Sequence, residues 1–158
     1  MPFLKKESCQ KVFQNINLKS LEIMKAFVNY SDDISTLGTG INVYTNPDTH
    51  KEVKLVDYTR DLERGRIIIL LSSLLFTDNN IKIYIRGNKM AVVVTEIVDT
   101  TYSPTNFVTD WQRFTQRTYE RMHNLNLVLP GDNFFLLRHF VLPEKYLLKI
   151  ILGKMVEN

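Results

Sequence analysis

A mainly β domain is predicted from three observations. Ile81, Ile83 and Ile85 alternate with Lys82, Tyr84 and Arg86; beyond Gly87-Asn88, Met90, Val92, Val94 and Glu96 alternate with Ala91, Val93, Thr95 and Ile97. Two period-2 runs across a short glycine turn read as a hairpin. Phe135 to Leu142 alternates in the same way and stops at Pro143. The run Arg66 to Leu71, apolar from its second residue, suits a strand covered on both faces.

At 158 residues the chain has room for one domain and an extension. Hydrophobic content of 44% and charged content of 23% are those of an ordinary globular protein. The longest apolar run, Ile67 to Leu75, is interrupted by Ser72 and Ser73 and is far shorter than the ~20 residues that cross a bilayer. The start, Met1 to Lys6, is followed by Glu7, Ser8, Gln10 and Lys11, so a secretory leader is not expected. One cysteine, Cys9, gives no internal disulfide, and a cytoplasmic setting is expected. A net charge of +3 falls short of a nucleic-acid footprint.

From the N-terminus, residues 8 to 30 are predicted helical in two pieces. Ser8 and Asn17 serve as N-caps, and Leu18, Leu21, Met24 and Val28 make one apolar stripe. Asp32 to His50 is crowded with turn formers, among them Gly38, Gly40, Asn42, Pro47 and Asp48, and reads as a linker. The predicted division is therefore 1–50, a helical arm and linker, and 51–158, a β domain. Lys54 to Tyr58 is a short edge strand, Asp61 to Gly65 a turn, Arg66 to Leu71 a strand, and Thr77 to Asn80 a turn into the hairpin. Over 99 to 130 the β pattern lapses. Asp110 can cap a helix to about His123, with Trp111, Phe114, Thr118 and Met122 on one face and Arg113, Arg117 and Arg121 on another, so an inserted helix near 105–125 is predicted. Pro130-Gly131-Asp132 turns the chain into the Phe134 to Leu142 strand, whose alternation places Arg138 on the face of Leu136, Phe140 and Leu142. An arginine there needs a partner.

Catalytic groupings are scarce. His50, His123 and His139 have no metal-ligand spacing with each other or with Cys9. Gly38-Thr39-Gly40 lacks the lysine of a phosphate loop, and no serine sits in a Gly-x-Ser-x-Gly turn. Asp57, Asp61, Glu63, Glu96 and Asp99 flank the strands, and a magnesium-dependent nuclease could be built only if they converged. No catalytic residue, metal or cofactor is expected.

Taken together, Asn80-Ile81-Lys82-Ile83, the turn at Gly87-Asn88, Met90 to Glu96 and the Arg-x-Phe-x-Leu-Pro of Arg138 to Pro143 resemble the α-crystallin domain of the small heat shock proteins. The resemblance runs from Val53 to Asn158. It departs from the family at Ser73-Leu74-Leu75, where a Leu-Pro-Gly is common, and in the longer 99–130 segment. Ile150 to Asn158 looks like the approach to the family's Asn-Gly-Val-Leu motif, with the chain stopping before that strand and before any Ile-x-Ile tail. The resemblance implies an immunoglobulin-like β-sandwich, α-crystallin-like, and a non-enzymatic, ATP-independent holdase that binds unfolded client proteins and forms a homodimer or larger homo-oligomer. On that reading the arm residues Phe3, Leu4, Val12, Phe13, Ile16, Leu21, Met24 and Phe27 meet clients, and Arg138, Phe140 and Glu96 lie at a subunit interface. A protein-binding adaptor with the same sandwich is the alternative, and neither membrane nor nucleic acid is expected as a partner.

Overall fold

The computed structural model describes residues 20–61, 63–102 and 115–155. Eight strands follow a short helical stretch over residues 20–26. They are β1 (Asn42–Thr45), β2 (Glu52–Asp61), β3 (Arg66–Ser72), β4 (Ile81–Arg86), β5 (Lys89–Tyr102), β6 (Thr115–Val128), β7 (Phe134–Leu142) and β8 (Leu147–Lys154). They form two antiparallel sheets, a large one in the order β1-β2-β3-β8-β7 and a small one in the order β4-β5-β6.

The predicted hairpin is present. Ile83 pairs with Val92 and Ile81 with Val94, and Gly87 turns the chain at φ 60°, a conformation open to glycine without a Cβ penalty. Ile81, Met90, Val92 and Val94 face the large sheet and meet Val53, Leu55, Ile67, Ile69, Leu71, Leu148, Ile150 and Leu152 in one core. The chain passes from the large sheet to the small one through residues 73–80. There Ser73 Oγ accepts the Leu75 N–H and donates to the Glu52 carbonyl, while Asn80 Nδ2 reaches the carbonyls of Leu75 and Thr95. These bonds satisfy the crossing backbone and let Leu75 and Phe76 plug the end of the core.

Several expectations are corrected, among them the short edge strand at Lys54 to Tyr58, which belongs to the ten-residue β2 between β1 and β3. Residues 115–123, predicted as the second half of the inserted helix, belong to β6, which pairs with β5 along its whole length from Thr115↔Tyr102 to Val128↔Lys89. Long cross-strand pairing overrides the three- and four-residue spacing of Thr118 and Met122, and the remainder of that helix lies outside the described residues. The stretch expected to be linker contains β1, and residues 31–34 lie along β6: Ser31 and Ile34 donate to the carbonyls of Asn126 and Val128, and Ile34 is fully buried. Finally, the described helix ends at residue 26, so Val28 lies beyond it, and Leu21 and Met24 are solvent-exposed. Ala26 is buried instead, against Ala91 and Val93 on the outer face of the small sheet.

Strand β7 is interrupted by a bulge. Leu136 pairs with Leu152 but Arg138 with Ile151, so Leu137 is an extra residue. One added residue exchanges the two faces beyond it. Phe134 and Leu136 point inward before the bulge and Val141 packs on the core after it, while Arg138, Phe140 and Leu142 share the outer face.

Candidate functional site

The arm residues named from the sequence divide. Phe3, Leu4, Val12, Phe13 and Ile16 lie outside the described residues. Leu21 is 46% and Met24 62% exposed, whereas Phe27 is half-buried beside the Ala26, Ala91 and Val93 cluster with the Arg86 guanidinium 4.9 Å from its ring centre. The Asn124 side chain donates to the Lys25 carbonyl and ties this stretch to β6. A cleft of about 280 Å³ runs between the helical stretch and the sheet, bordered by Glu22, Lys25, Lys82, Tyr84, Val93 and Met122. Met122, at 60% exposed, and Ile97, at 67%, extend the apolar surface beyond it on β6 and β5.

Glu96 occupies the opposite, inward face of β5. Its Oε2 accepts a hydrogen bond from Lys51 Nζ at 2.6 Å, Arg121 Nη1 stands 3.7 Å from its other oxygen, and His123 Nε2 lies 3.7 Å from Oε2. His123 is buried, and its Nδ1 meets the Tyr44 hydroxyl at 2.9 Å. With a carboxylate facing Nε2, the favoured neutral tautomer carries its proton there, and Tyr44 donates to Nδ1. Asn46 Nδ2 donates to the same hydroxyl oxygen at 3.4 Å. Burial lowers the His123 pKa below the usual histidine value; Glu96 acts against that shift, and Arg121 and Lys51 add to it. Sequence reasoning named Glu96 but not this set, whose members come from the β1–β2 turn, β1, β5 and β6. The nearest signal was the polar run Arg121, His123 and Asn124 beside Leu125.

Beside Glu96 a cleft of about 670 Å³ opens between the 74–82 segment and β5 and β6, with Lys51, Leu74, Asn80, Lys82, Ile97 and Glu120 on its rim. His123 is not among the residues that border it, and Glu96 is held by a lysine and faced by an arginine. The set joins the two sheets, and Lys51 and Glu96 are its members that border the cleft.

Arg138 is exposed and has no acidic partner among the described residues. Its guanidinium sits 4.8 Å from the centre of the Phe140 ring, and Lys149 Nζ approaches the same ring at 5.8 Å. The bulge at Leu137 accounts for this placement, which removes the need for a buried counter-charge. The candidate nuclease acids do not gather. Asp57 bonds to the Tyr58 N–H and the Thr59 hydroxyl, Asp99 accepts from the Thr118 hydroxyl, and no three His, Cys, Asp or Glu side chains meet among the described residues. Among those residues no helix is long and apolar enough to cross a membrane. Comparison with protein-family models, curated proteins and solved structures finds no match.

Proposed function

We propose that the chain is an ATP-independent holdase of small heat shock type, with an immunoglobulin-like, α-crystallin-like sandwich that covers apolar surface on partly unfolded proteins. The observation that carries this reading is the exposure of Met24 on the helical stretch, of Met122 at the border of the cleft beside that stretch, and of Ile97 on β5 at the rim of the larger cleft. Methionine is unbranched and polarizable, so such a surface can adapt to many sequences, and coverage of a client needs no covalent chemistry. Phe3, Leu4, Val12, Phe13 and Ile16 would enlarge that surface from the N-terminal side.

Assembly into a homodimer is part of the same reading. Strand β6 is one of the two edge strands of the small sheet, and among the described residues only its C-terminal end is covered, by residues 31–34. The rest presents the kind of open edge that another strand can extend. Arg138 and Phe140 stand outward on β7, in the other sheet, and take no part in a contact made at this edge; Glu96 would contribute to it by holding β5 and β6 to the large sheet. The adaptor alternative draws on the same open edge, with one specific partner in place of many clients.

The test is light scattering from a thermally unfolding client enzyme, with and without the chain, in the absence of ATP. Suppression at near-stoichiometric amounts across several unrelated clients is expected. No suppression of any client would sink the holdase reading and leave the adaptor.

A further inference from the structure

On the outer face of the large sheet, the charges carried by β3, β8 and β7 are all of one sign, and the adjoining β2 adds Asp57 and Asp61 beside Leu70 and Arg66. None of the residues of β3, β7 or β8 is acidic. Their outward positions fall in rows across the three strands: Arg66, Gly153 and Phe135; Ile68, Ile151 and the Leu137–Arg138 bulge; Leu70, Lys149 and Phe140; Ser72, Leu147 and Leu142. Phe135, Leu137 and Leu142 are 39–45% exposed. Gly153 makes room for two of them, since a Cβ there would stand 2.8 Å from the Phe135 ring and 3.2 Å from Leu137. Arg66, Arg138 and Lys149 form no ion pair with any described residue.

We infer that this β3-β8-β7 face docks an acidic, apolar polypeptide segment: leucine-like side chains on the aliphatic rows, and carboxylates on Arg138 and Lys149. Unpaired cations within an apolar field call for an anionic partner that brings its own apolar groups. Two occupants from the chain itself fit poorly. Residues 1–19 carry Lys5, Lys6, Lys11 and Lys19 against Glu7 alone, and a second copy of the same face would set Arg138 and Lys149 against like charges. A lipid surface is also disfavoured, because Asp57 and Asp61 of β2 pair with Leu70 and Arg66 at the border of the patch and would meet anionic headgroups. A single polypeptide avoids them. Three strands span about 10 Å, the width of one helix with its side chains. The inference does not depend on holdase activity.

The experiment uses the full chain and two fluorescein-labelled twelve-residue peptides, one of leucine and glutamate and one of leucine and lysine, read by fluorescence anisotropy. The acidic peptide is expected to bind at least tenfold more tightly, and the Arg138→Glu/Lys149→Glu protein is expected to reverse that preference. Equal binding of both peptides, or an acidic affinity unchanged by the double reversal, would overturn the inference. So would co-sedimentation with phosphatidylserine vesicles that the acidic peptide fails to compete off. The same holds for self-association, seen by sedimentation velocity, that the double reversal alters. Should the double variant fail to fold, isoleucine methyl spectra of the unmodified protein decide: bound acidic peptide must shift Ile68 and Ile151 and leave the buried Ile34 in place.

Discussion

The hydroxyl of Tyr44 on β1 lies 2.9 Å from Nδ1 of His123 on β6, a polar bond between the two sheets at a flank that also carries the Lys51–Glu96 ion pair. A protonated His123 needs a donor role at Nδ1. Tyr44 would then have to stop donating, and its oxygen would face two N–H groups, from His123 and Asn46, while its own proton lost its acceptor.

Stability is therefore expected to rise with pH through the histidine range. The folded pKa of His123 is lowered relative to the unfolded value of about 6.5, so between the two the unfolded chain binds more protons. The contribution is fully present above about 6.5 and is lost as pH falls toward the folded value. Urea midpoints at pH 7.5 and 5.5 should differ more for the unmodified protein than for His123→Gln; an equal difference in the two proteins refutes the assignment.

Arg138→Ala should be nearly silent. The side chain is exposed and its described contact is the face of Phe140, which Lys149 also approaches, so a loss of about 0.5–1 kcal/mol is the upper end. A loss of roughly 3 kcal/mol in chemical denaturation would instead indicate a buried pair.

Two truncations should separate the arm from the core. A chain beginning at residue 29 keeps the Ser31 and Ile34 bonds to β6; one beginning at residue 39 removes Ile34, which is fully buried. The longer deletion should cost at least about 2–5 kcal/mol more, the range for emptying a large aliphatic site. Coincident melting curves for the two proteins would contradict the packing of Ile34.

Gly153→Ala should move Phe135 without harming the fold. The added Cβ meets the far end of an exposed side chain that can swing away, and alanine fits a strand better than glycine. A stability change within about 1 kcal/mol is expected, with a measurable drop in binding of any ligand that uses the outer face. A loss of several kcal/mol would mean that Phe135 cannot move.

The β4–β5 hairpin was legible because each strand has one apolar face and the turn carries Gly87-Asn88. Strand β6 was hidden for a physical reason: Arg121 and His123 alternate with Met122 and Asn124, the polar pair turning in toward Glu96 and Met122 turning out. Alternation there has the wrong sign for a buried strand. Strand β8 was missed because Leu147 to Leu152 is apolar on both faces but for Lys149, so no period-2 alternation marks the face that it buries. The placement of Arg138 was misjudged because a bulge adds one residue to the count and leaves no mark in composition. Partners of Glu96 come from segments far apart in the chain, a relation that local pattern cannot express.

The position of β8 also bears on how the chain leaves the ribosome. Strand β3, with its run of isoleucines and leucines, gains its second neighbour only when the last of the described strands has been made. Ile69, for example, waits for Ile150, 81 residues later. At roughly 5–20 residues per second, that interval amounts to about 4–16 s. Through it the β2–β3 meander carries an apolar, unpaired edge while the β4–β5 hairpin can already close. The nascent chain is thus open to misassociation for seconds on the very strand that the finished protein covers on both sides, and slowing synthesis after β3 should lower soluble yield more than slowing it before β2.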